Sequence, residues 1–269
     1  MLQHAAAALR NGYAQEAERI AHDVLSQCRN HPRALELLGV ALLEQRRPAE
    51  AITPLERRVH ARRDAAGETY LARAFLALGR SDESMTLLQV ATERRPPFPP
   101  AFYELGKMLR QQHRLAQAET VFKRGMEVAP GIAEFPLMLG SVLLERGDME
   151  GAQHAFAKAL AIAPGLAAAL QGLVYSLKDS GDLDAALERA REAFARDPSD
   201  TTSHLLLATC LLELGKSEEA TEQLRSLVGA SPKLLGKALR AFTDVGHGRL
   251  WLKPSAAAEF LGAKRQDQS

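Results

Sequence analysis

The residues best suited to bind a metal, or to act as acid, base or nucleophile, are the eight histidines and two cysteines of the sequence. The histidines are His4, His22, His31, His60, His113, His154, His204 and His247. None lies at a metal-ligand spacing such as HExxH from a second histidine, a cysteine or a carboxylate. We therefore predict no catalytic residue, no metal and no cofactor, and we expect the histidines at surface or helix-packing positions.

The two cysteines, Cys28 and Cys210, are far apart and give no disulfide framework, so we expect a reducing, cytoplasmic setting. Both are expected to be inert, small apolar residues on helices. The sequence has no apolar run long enough to span a membrane, and its start lacks the apolar core of a signal peptide. We predict no membrane insertion, and the abundance of Ala, Leu and Arg suggests a bacterial source.

The segment ERRVHARR, residues 56–63, brings four arginines around one histidine, and Arg94 and Arg95 would extend this strip. Nucleic acid or an anionic surface is one interpretation, and a solvated outer face of a helix is the other. No aromatic residues are interleaved for base stacking. Lys plus Arg (34) nearly balance Asp plus Glu (33), so no net field draws the chain to a polyanion. We favour the solvated face and predict no nucleic-acid partner.

The elements that must position these residues repeat with a period of 34 positions. Prolines recur at this step: Pro96, Pro130, Pro164, Pro198 and Pro232. Two further columns keep it, one of leucine (Leu105, Leu139, Leu173, Leu207) and one of alanine (Ala118, Ala152, Ala186, Ala220). The agreement predicts an array of similar units, each ending where proline stops a helix.

Each unit is predicted to contain two helices that approach closely. One face of the first helix is formed by residues at i, i+3, i+4 and i+7: Phe102, Leu105, Gly106 and Leu109. Ala118 and Phe122 mark the inner face of the second helix. Gly106 and Ala118 are small, which lets the helices approach, whereas Ala72, Ser84 and Val174 depart from these two small columns.

A glycine between the two helices is expected to have positive φ and to end the first helix. It recurs as Gly79, Gly147, Gly181 and Gly215. His113 and Arg46 stand at this place in two units. At His113 the turn must therefore use another geometry or accept strain.

The pattern Phe102-x-x-Leu105-Gly106-x-x-Leu109, then Ala118-x-x-x-Phe122 and Pro130, resembles the tetratricopeptide repeat (TPR) over nearly the whole chain. The resemblance implies an all-α fold, a right-handed superhelical solenoid of antiparallel helix pairs with a C-terminal capping helix. The predicted array covers 1–234, in units of about 1–31, 32–64, 65–98, 99–132, 133–166, 167–200 and 201–234. A capping helix is predicted at 235–245, and a tail with Trp251 and a short helix capped by Ser255 at 246–269.

The resemblance also implies a non-catalytic interaction module that binds a protein or peptide partner in a concave groove lined by the first helices. Fixed positions of the family map onto these groove residues: Tyr70, Arg73, Tyr103, Lys107, Arg110, Leu137, Met138, Glu145, Tyr175, Asp179, Leu205, Thr209 and Glu213. The mapped charges change from basic in the middle units to acidic in the later ones. A partner with apolar anchors and basic residues toward the acidic end would suit this groove.

Two alternatives stay open at this point. The chain could be the repeat portion of a modular enzyme of the sulfotransferase or glycosyltransferase type, although the polar ending GAKRQDQS argues mildly against it. It could also be a scaffold that assembles into a homo-oligomer through an open end of the array. The family's chaperone-binding carboxylate clamp is not evident, because its places hold residues such as Glu36 and Ala66.

Overall fold

The computed structural model describes residues 1–243 and divides them into two units. The first unit, residues 1–131, contains α1 (Leu2–Arg10), α2 (Ala14–Gln27), α3 (Pro32–Glu44), α4 (Pro48–Ala61), α5 (Ala65–Ala77), α6 (Ser81–Glu93), α7 (Pro99–Gln111) and α8 (Leu115–Val128). The second begins at Ile132 and contains α9 (Glu134–Glu145), α10 (Met149–Ile162), α11 (Ala167–Asp179), α12 (Leu183–Arg196), α13 (Thr201–Glu213), α14 (Ser217–Ala230), a 3₁₀ turn (Pro232–Leu234) and α15 (Leu235–Thr243). Residues 1–243 contain no β-strand, which confirms the all-α fold class.

Within each unit, consecutive helices pack against each other as pairs joined by short turns. The odd-numbered helices also contact one another: α1 with α3, α3 with α5 and α5 with α7 in the first unit, and α9 with α11 and α11 with α13 in the second. The odd-numbered helices therefore lie side by side and form one face of each unit. The periodic prolines follow α6, α8, α10, α12 and α14 by two or three residues, as predicted.

The small columns bring the paired helices together. A Cβ built on Gly106 would lie 2.5 Å from Cε1 of Phe122, and one on Gly140 would lie 2.7 Å from Cε1 of Phe156. Atoms of a real side chain do not approach this closely, so only glycine leaves room for the phenylalanine ring. The alanine column and Ser84 are completely buried: Ala17, Ala51, Ser84, Ala118, Ala152, Ala186 and Ala220.

Val174, which departs from the column of glycines, is explained by a matching change on the second helix of its pair. Val174 takes the place of Gly106 and Gly140, and Ala190 takes the place of Phe122 and Phe156. Val174 and Ala190 are both fully buried in the same apolar cluster. The larger residue has thus moved from the second helix to the first, so the packed volume is kept.

The turns between paired helices adopt the predicted left-handed conformation. The four expected glycines have φ between 73° and 87°. Arg46 and His113 have φ of 58° and 56°, so these two residues accept the strained conformation instead of changing the turn.

Replacing His113 with glycine is expected to raise the free energy of unfolding by about 1 kcal/mol, because an L side chain is penalised in this conformation. Urea denaturation followed by circular dichroism measures the change. Gly79→Ala is the matched control: nothing lies within 4 Å of the added Cβ, so only its φ of 78° opposes alanine. That variant should lose a similar amount, and a destabilised His113→Gly protein would contradict the strain argument.

One arginine of the ERRVHARR segment is buried, which corrects the prediction of a solvated outer face at this position. Only 5% of the Arg58 side chain is exposed. Its Nη2 lies 3.2 Å from Glu36 Oε2 and 2.8 Å from Asp64 Oδ2, and its Nη1 donates to the carbonyl oxygen of Arg62 at 2.7 Å. Glu36 is also buried and pairs with Arg33 as well. This ion network fastens α3, α4 and the start of α5 to one another.

A second buried carboxylate, Glu68, stands on α5 one period before Phe102, where the pattern expects an apolar residue. Arg94, at the end of α6, places Nη2 2.7 Å from Glu68 Oε1. A buried carboxylate without a partner would be costly. Arg94, which was predicted to extend a basic strip, therefore neutralises the buried carboxylate of Glu68 instead.

The cysteines and one histidine also differ in their surroundings. Cys210 is fully buried on α13, where burial raises the pKa of its thiol to about 11, in accord with an inert residue. Cys28 is exposed and follows the end of α2, so the prediction of an apolar helical residue is wrong there. His204 packs its ring edge-on against Phe194, with the ring centroids 4.5 Å apart, which agrees with a packing role.

The last described helix, α15, begins at Leu235 and contacts α13 and α14. Its Ala238 and Ala241 are buried in the apolar cluster of the second unit, in agreement with a capping helix. The remainder of the predicted helix to residue 245, the tail with Trp251 and the cap at Ser255 lie outside the described residues.

Candidate partner-binding faces

The predicted groove residues lie on the odd-numbered helices of both units. The first face, on α5 and α7 of the first unit, comprises Tyr70, Arg73, Tyr103, Lys107 and Arg110. The second face, on α9, α11 and α13 of the second unit, comprises Leu137, Met138, Glu145, Tyr175, Asp179, Leu205, Thr209 and Glu213. The continuity of these two faces as one groove stays a prediction.

The basic residues of the first face pair with carboxylates of the same unit. Nη2 of Arg73 lies 3.4 Å from Oε1 of Glu44 on α3, and Nε of Arg73 lies 3.8 Å from Oε1 of Glu104 on α7. Oε2 of Glu104 also lies 3.7 Å from Nζ of Lys107. The positive charge predicted for this part of the groove is thus partly neutralised within the protein.

The tyrosines of the first face are also in contact with neighbouring side chains. The ring of Tyr70 meets Phe98 edge-on, with the centroids 6.0 Å apart, and burial, followed by the charge of Glu36, raises the pKa of its phenol. Nζ of Lys107 lies 5.2 Å from the ring centroid of Tyr103, a cation–π arrangement. The aromatic rings of this face therefore already have partners inside the unit.

The second face presents an open aromatic ring. Tyr175 on α11 is 42% exposed, whereas the large hydrophobic residues of its own helix are buried or half-buried. Asp179 follows one helical turn later and is exposed. Partial burial, with smaller effects of Cys210 and Asp179, raises the pKa of the Tyr175 phenol. The Tyr175 ring is thus partly packed against the protein and partly exposed to solvent.

The neighbouring helices give the second face a mixed surface. Leu137 and Met138 on α9 and Leu205 on α13 are half-buried, and Leu205 packs against the core of the unit. The Thr209 hydroxyl donates to the carbonyl oxygen of Leu206 at 2.9 Å, so its hydrogen-bonding capacity is used within α13. Two carboxylates complete the face, with Glu145 exposed and Glu213 half-buried.

Sequence reasoning missed two residues that shape the first face, Phe98 and Glu44. Phe98 stands in the proline-rich segment RRPPFPP, residues 94–100, between the helical patterns of two units, so no helix face predicted its contact with Tyr70. Glu44 lies 29 positions before Arg73, and only the packing of α3 on α5 brings them together. The repeat period does not signal this pair, because the alignment of Arg46 with Gly79 places Glu44 opposite Ala77, about one helical turn beyond Arg73.

Among residues 1–243, no group of three histidine, cysteine, aspartate or glutamate side chains could hold a metal ion. Across the same residues, no helix combines the length and the apolar character needed to cross a membrane.

The repeat pattern is matched by known protein families. Profiles described as tetratricopeptide repeat match residues 2–67, 69–125, 103–167 and 177–241. The chain belongs to the tetratricopeptide repeat family. A search of curated proteins finds no match to this TPR chain.

Solved structures share the TPR fold at low identity. The structure of the APC/C hetero-tetramer Cut9-Hcn1 is 18% identical, with a TM-score of 0.64, and the match covers 88% of this chain and 48% of that one. The C-terminal part of a TPR protein from Cytophaga hutchinsonii is 14% identical, with a TM-score of 0.64, covering 97% and 99%. YrrB, described as a TPR protein with an unusual peptide-binding site, is 16% identical, with a TM-score of 0.55, covering 68% and 95%. The chain thus spans about half the length of the Cut9-Hcn1 chain it matches.

Proposed function

We propose that this TPR protein is a non-catalytic interaction module whose second face binds a peptide or helix of a partner protein. The observation that carries the proposal is the Tyr175 ring, which is 42% exposed on the odd-numbered helices of the second unit. A tyrosine in this state supplies a large contact area and loses little side-chain entropy on binding.

The surroundings of Tyr175 favour a partner with an apolar anchor beside basic residues. Half-buried Met138 and Leu205, on the neighbouring helices, offer apolar area without exposing a whole side chain. Asp179, whose Oδ1 lies 3.9 Å from Nζ of Lys178, and Glu213 add carboxylates to the same face. Such an arrangement selects a partner by charge and holds it by apolar contact.

The first face is the weaker candidate, because a partner would have to replace contacts that the protein already makes. Arg73 and Lys107 would exchange the carboxylate of Glu104 for one of the partner, with little net gain. We therefore place the principal binding surface on the second face.

The wider family supports an interaction role but does not fix it, because one fold serves many functions. YrrB shows that a related TPR fold accommodates a peptide-binding site. The enzyme-portion and homo-oligomer alternatives, and the cytoplasmic location, stay predictions.

A photo-crosslinking experiment tests the second face directly. The photoreactive amino acid p-benzoylphenylalanine is placed at Tyr175 and, as a control, at Tyr13, which is 62% exposed in the first unit. After irradiation in a lysate of source cells, we expect adducts with a discrete partner from position 175 that do not form from position 13. Excess wild-type chain added to the lysate before irradiation should suppress the adduct, whereas Tyr175→Ala chain should not. Equal adducts at both positions, or equal competition by Tyr175→Ala, would sink the proposal.

A further inference from the structure

Four exposed arginines stand at the ends of the even-numbered helices of the first unit. This basic edge consists of Arg29 after α2, Arg57 in the last turns of α4, Arg63 after α4 and Arg95 after α6. No carboxylate within residues 1–243 forms an ion pair with any of the four. They therefore differ from Arg58, Arg62 and Arg94, which pair with Asp64 or Glu68.

Hydrogen bonds join the ends of α2 and α4, and an electrostatic interaction adds the end of α6. Nη2 of Arg57 donates to the carbonyl oxygen of Arg29 and to Oδ1 of Asn30, the latter at 2.9 Å. The loop after α2 is thereby tied to α4. Asp64 accepts from Arg58 on α4 and also acts electrostatically on Arg94 at the end of α6. The ends of α2, α4 and α6 therefore contribute to one continuous edge.

The carboxylates near the edge are already matched to internal arginines. Glu36 and Asp64 pair with Arg58, and Glu68 pairs with Arg94. Lys and Arg outnumber Asp and Glu by 19 to 15 in residues 1–131, whereas acidic residues lead by 15 to 11 in residues 132–243. Part of the surplus positive charge of the first unit thus lies at the basic edge, where no carboxylate of residues 1–243 forms an ion pair with it, although Glu93, paired with Arg124, also acts on Arg95 through its charge.

Arg57 shows that the basic edge is prepared for a ligand. Its guanidinium is fixed by two neutral oxygens, so its position is set while its charge stays available. A side chain that is ordered in advance loses less entropy when it binds. The planar fork of arginine matches the two oxygens of a carboxylate.

We propose that the basic edge binds an acidic segment of a partner protein, rich in Asp and Glu. Protein carboxylates are favoured over a nucleic acid because no phenylalanine, tyrosine or tryptophan ring for base stacking is exposed beside the arginines, where His60 supplies only a small imidazole. The exposed rings of these three types in residues 1–243 are Tyr13, at the opposite end of α2 from Arg29, and Tyr175, in the second unit. The basic edge and the second face share no residue, so each proposal is tested with its own variants.

Fluorescence anisotropy on the full chain tests this assignment. The probe is a fluorescein-labelled peptide of twelve alternating Glu and Asp residues, and a Gly-Ser peptide of equal length is the neutral control. The variant Arg57→Gln, Arg63→Gln, Arg95→Gln should bind the acidic peptide about tenfold or more weakly. The matched control removes three exposed arginines of α12 in the second unit, with Arg189→Gln, Arg191→Gln and Arg196→Gln, and should stay within about twofold of wild type. Affinity should also fall as salt is raised from about 0.05 to 0.3 M.

Three results would overturn the proposal. The first is equal loss of affinity in both triple variants while circular dichroism shows both to be folded. The second is tighter binding of oligothymidylate or phosphatidylserine vesicles than of the acidic peptide, which would assign the edge to phosphate. The third is no difference between the acidic and neutral peptides for the wild-type chain, which would make the edge a solvated surface.

Discussion

Replacing Arg58 with methionine is expected to lower the free energy of unfolding by about 3–5 kcal/mol, the cost of leaving a buried ion-pair partner uncompensated. Methionine retains the length of the arginine stem, so packing in α4 is largely preserved. The loss comes from Glu36, which is buried with Arg58, and from Asp64, which loses two hydrogen bonds.

The neighbouring residue gives a matched control for this substitution. Arg57→Met changes the same residue type on the same helix, but its side chain is exposed and pairs with no carboxylate of the described chain. The urea midpoint should therefore fall sharply for Arg58→Met and only slightly, by about 1 kcal/mol or less, for Arg57→Met, which loses two exposed hydrogen bonds. Equal shifts would show that the two arginines differ only in exposure and not in their contribution to stability.

The same network predicts a dependence on pH. Burial alone would raise the pKa of the Asp64 carboxyl, but hydrogen bonds from Arg58 and the Gly67 amide, with the charges of Arg58 and Arg62, hold it below its usual value. The stability that this carboxylate contributes is complete above its unfolded pKa of about 3.9 and is lost as the pH falls through the lower folded value. Wild type should therefore lose more stability than Arg58→Met between about pH 5 and pH 2.

Enlarging Gly106 to valine is expected to cost about 3 kcal/mol, because the added atoms would meet the fully buried ring of Phe122. Phe122→Ala should cost about 3–5 kcal/mol by leaving a cavity. The double variant should lose clearly less than the sum, since Val174 and Ala190 form this combination in the second unit. We expect a coupling of about 1–3 kcal/mol in the double-mutant cycle.

Thermal and urea denaturation of the four proteins complete the cycle. Gly229→Ala on α14 is the control for helix propensity, because nothing lies within 4 Å of its added Cβ and alanine favours the helix. This variant should be unchanged or slightly more stable. If the losses for Gly106→Val and Phe122→Ala simply add, the exchange of volume between the helices would be refuted.

The array could be predicted from sequence because small residues and prolines are required once per helix pair. Where one column has a substitution, such as Val174 for glycine, the other columns still show the period of 34. Helix faces such as Phe102, Leu105 and Leu109 were predicted correctly for the same reason. The groove residues were assigned by the resemblance to the TPR family, and the structure places these residues on the odd-numbered helices.

Contacts between distant parts of the sequence could not be predicted in this way. Arg58 follows Glu36 by 22 positions, and its arginine neighbours in ERRVHARR made it resemble a surface residue. Glu68 occupies the column of Phe102, and only the position of Arg94 makes the burial of its carboxylate acceptable. Tyr175 is exposed, whereas Tyr70 packs against Phe98. This difference likewise depends on neighbouring side chains that no periodicity specifies.

The ring of Phe156, on α10, packs against the helices on both sides of it, α9 and α11. It fills the space left by Gly140 on α9 and also that left by Gly172 on α11. If α11 were to open, this ring would lose half of its cover, and the energetic loss would spread to α9 and α10. One period later the corresponding residue is Ala190, which has no ring to share. Local unfolding that starts from the C-terminal side should therefore halt at Phe156. The number of helices that unfold together in this part of the array thus depends on which aromatic rings pack against two neighbouring helix pairs.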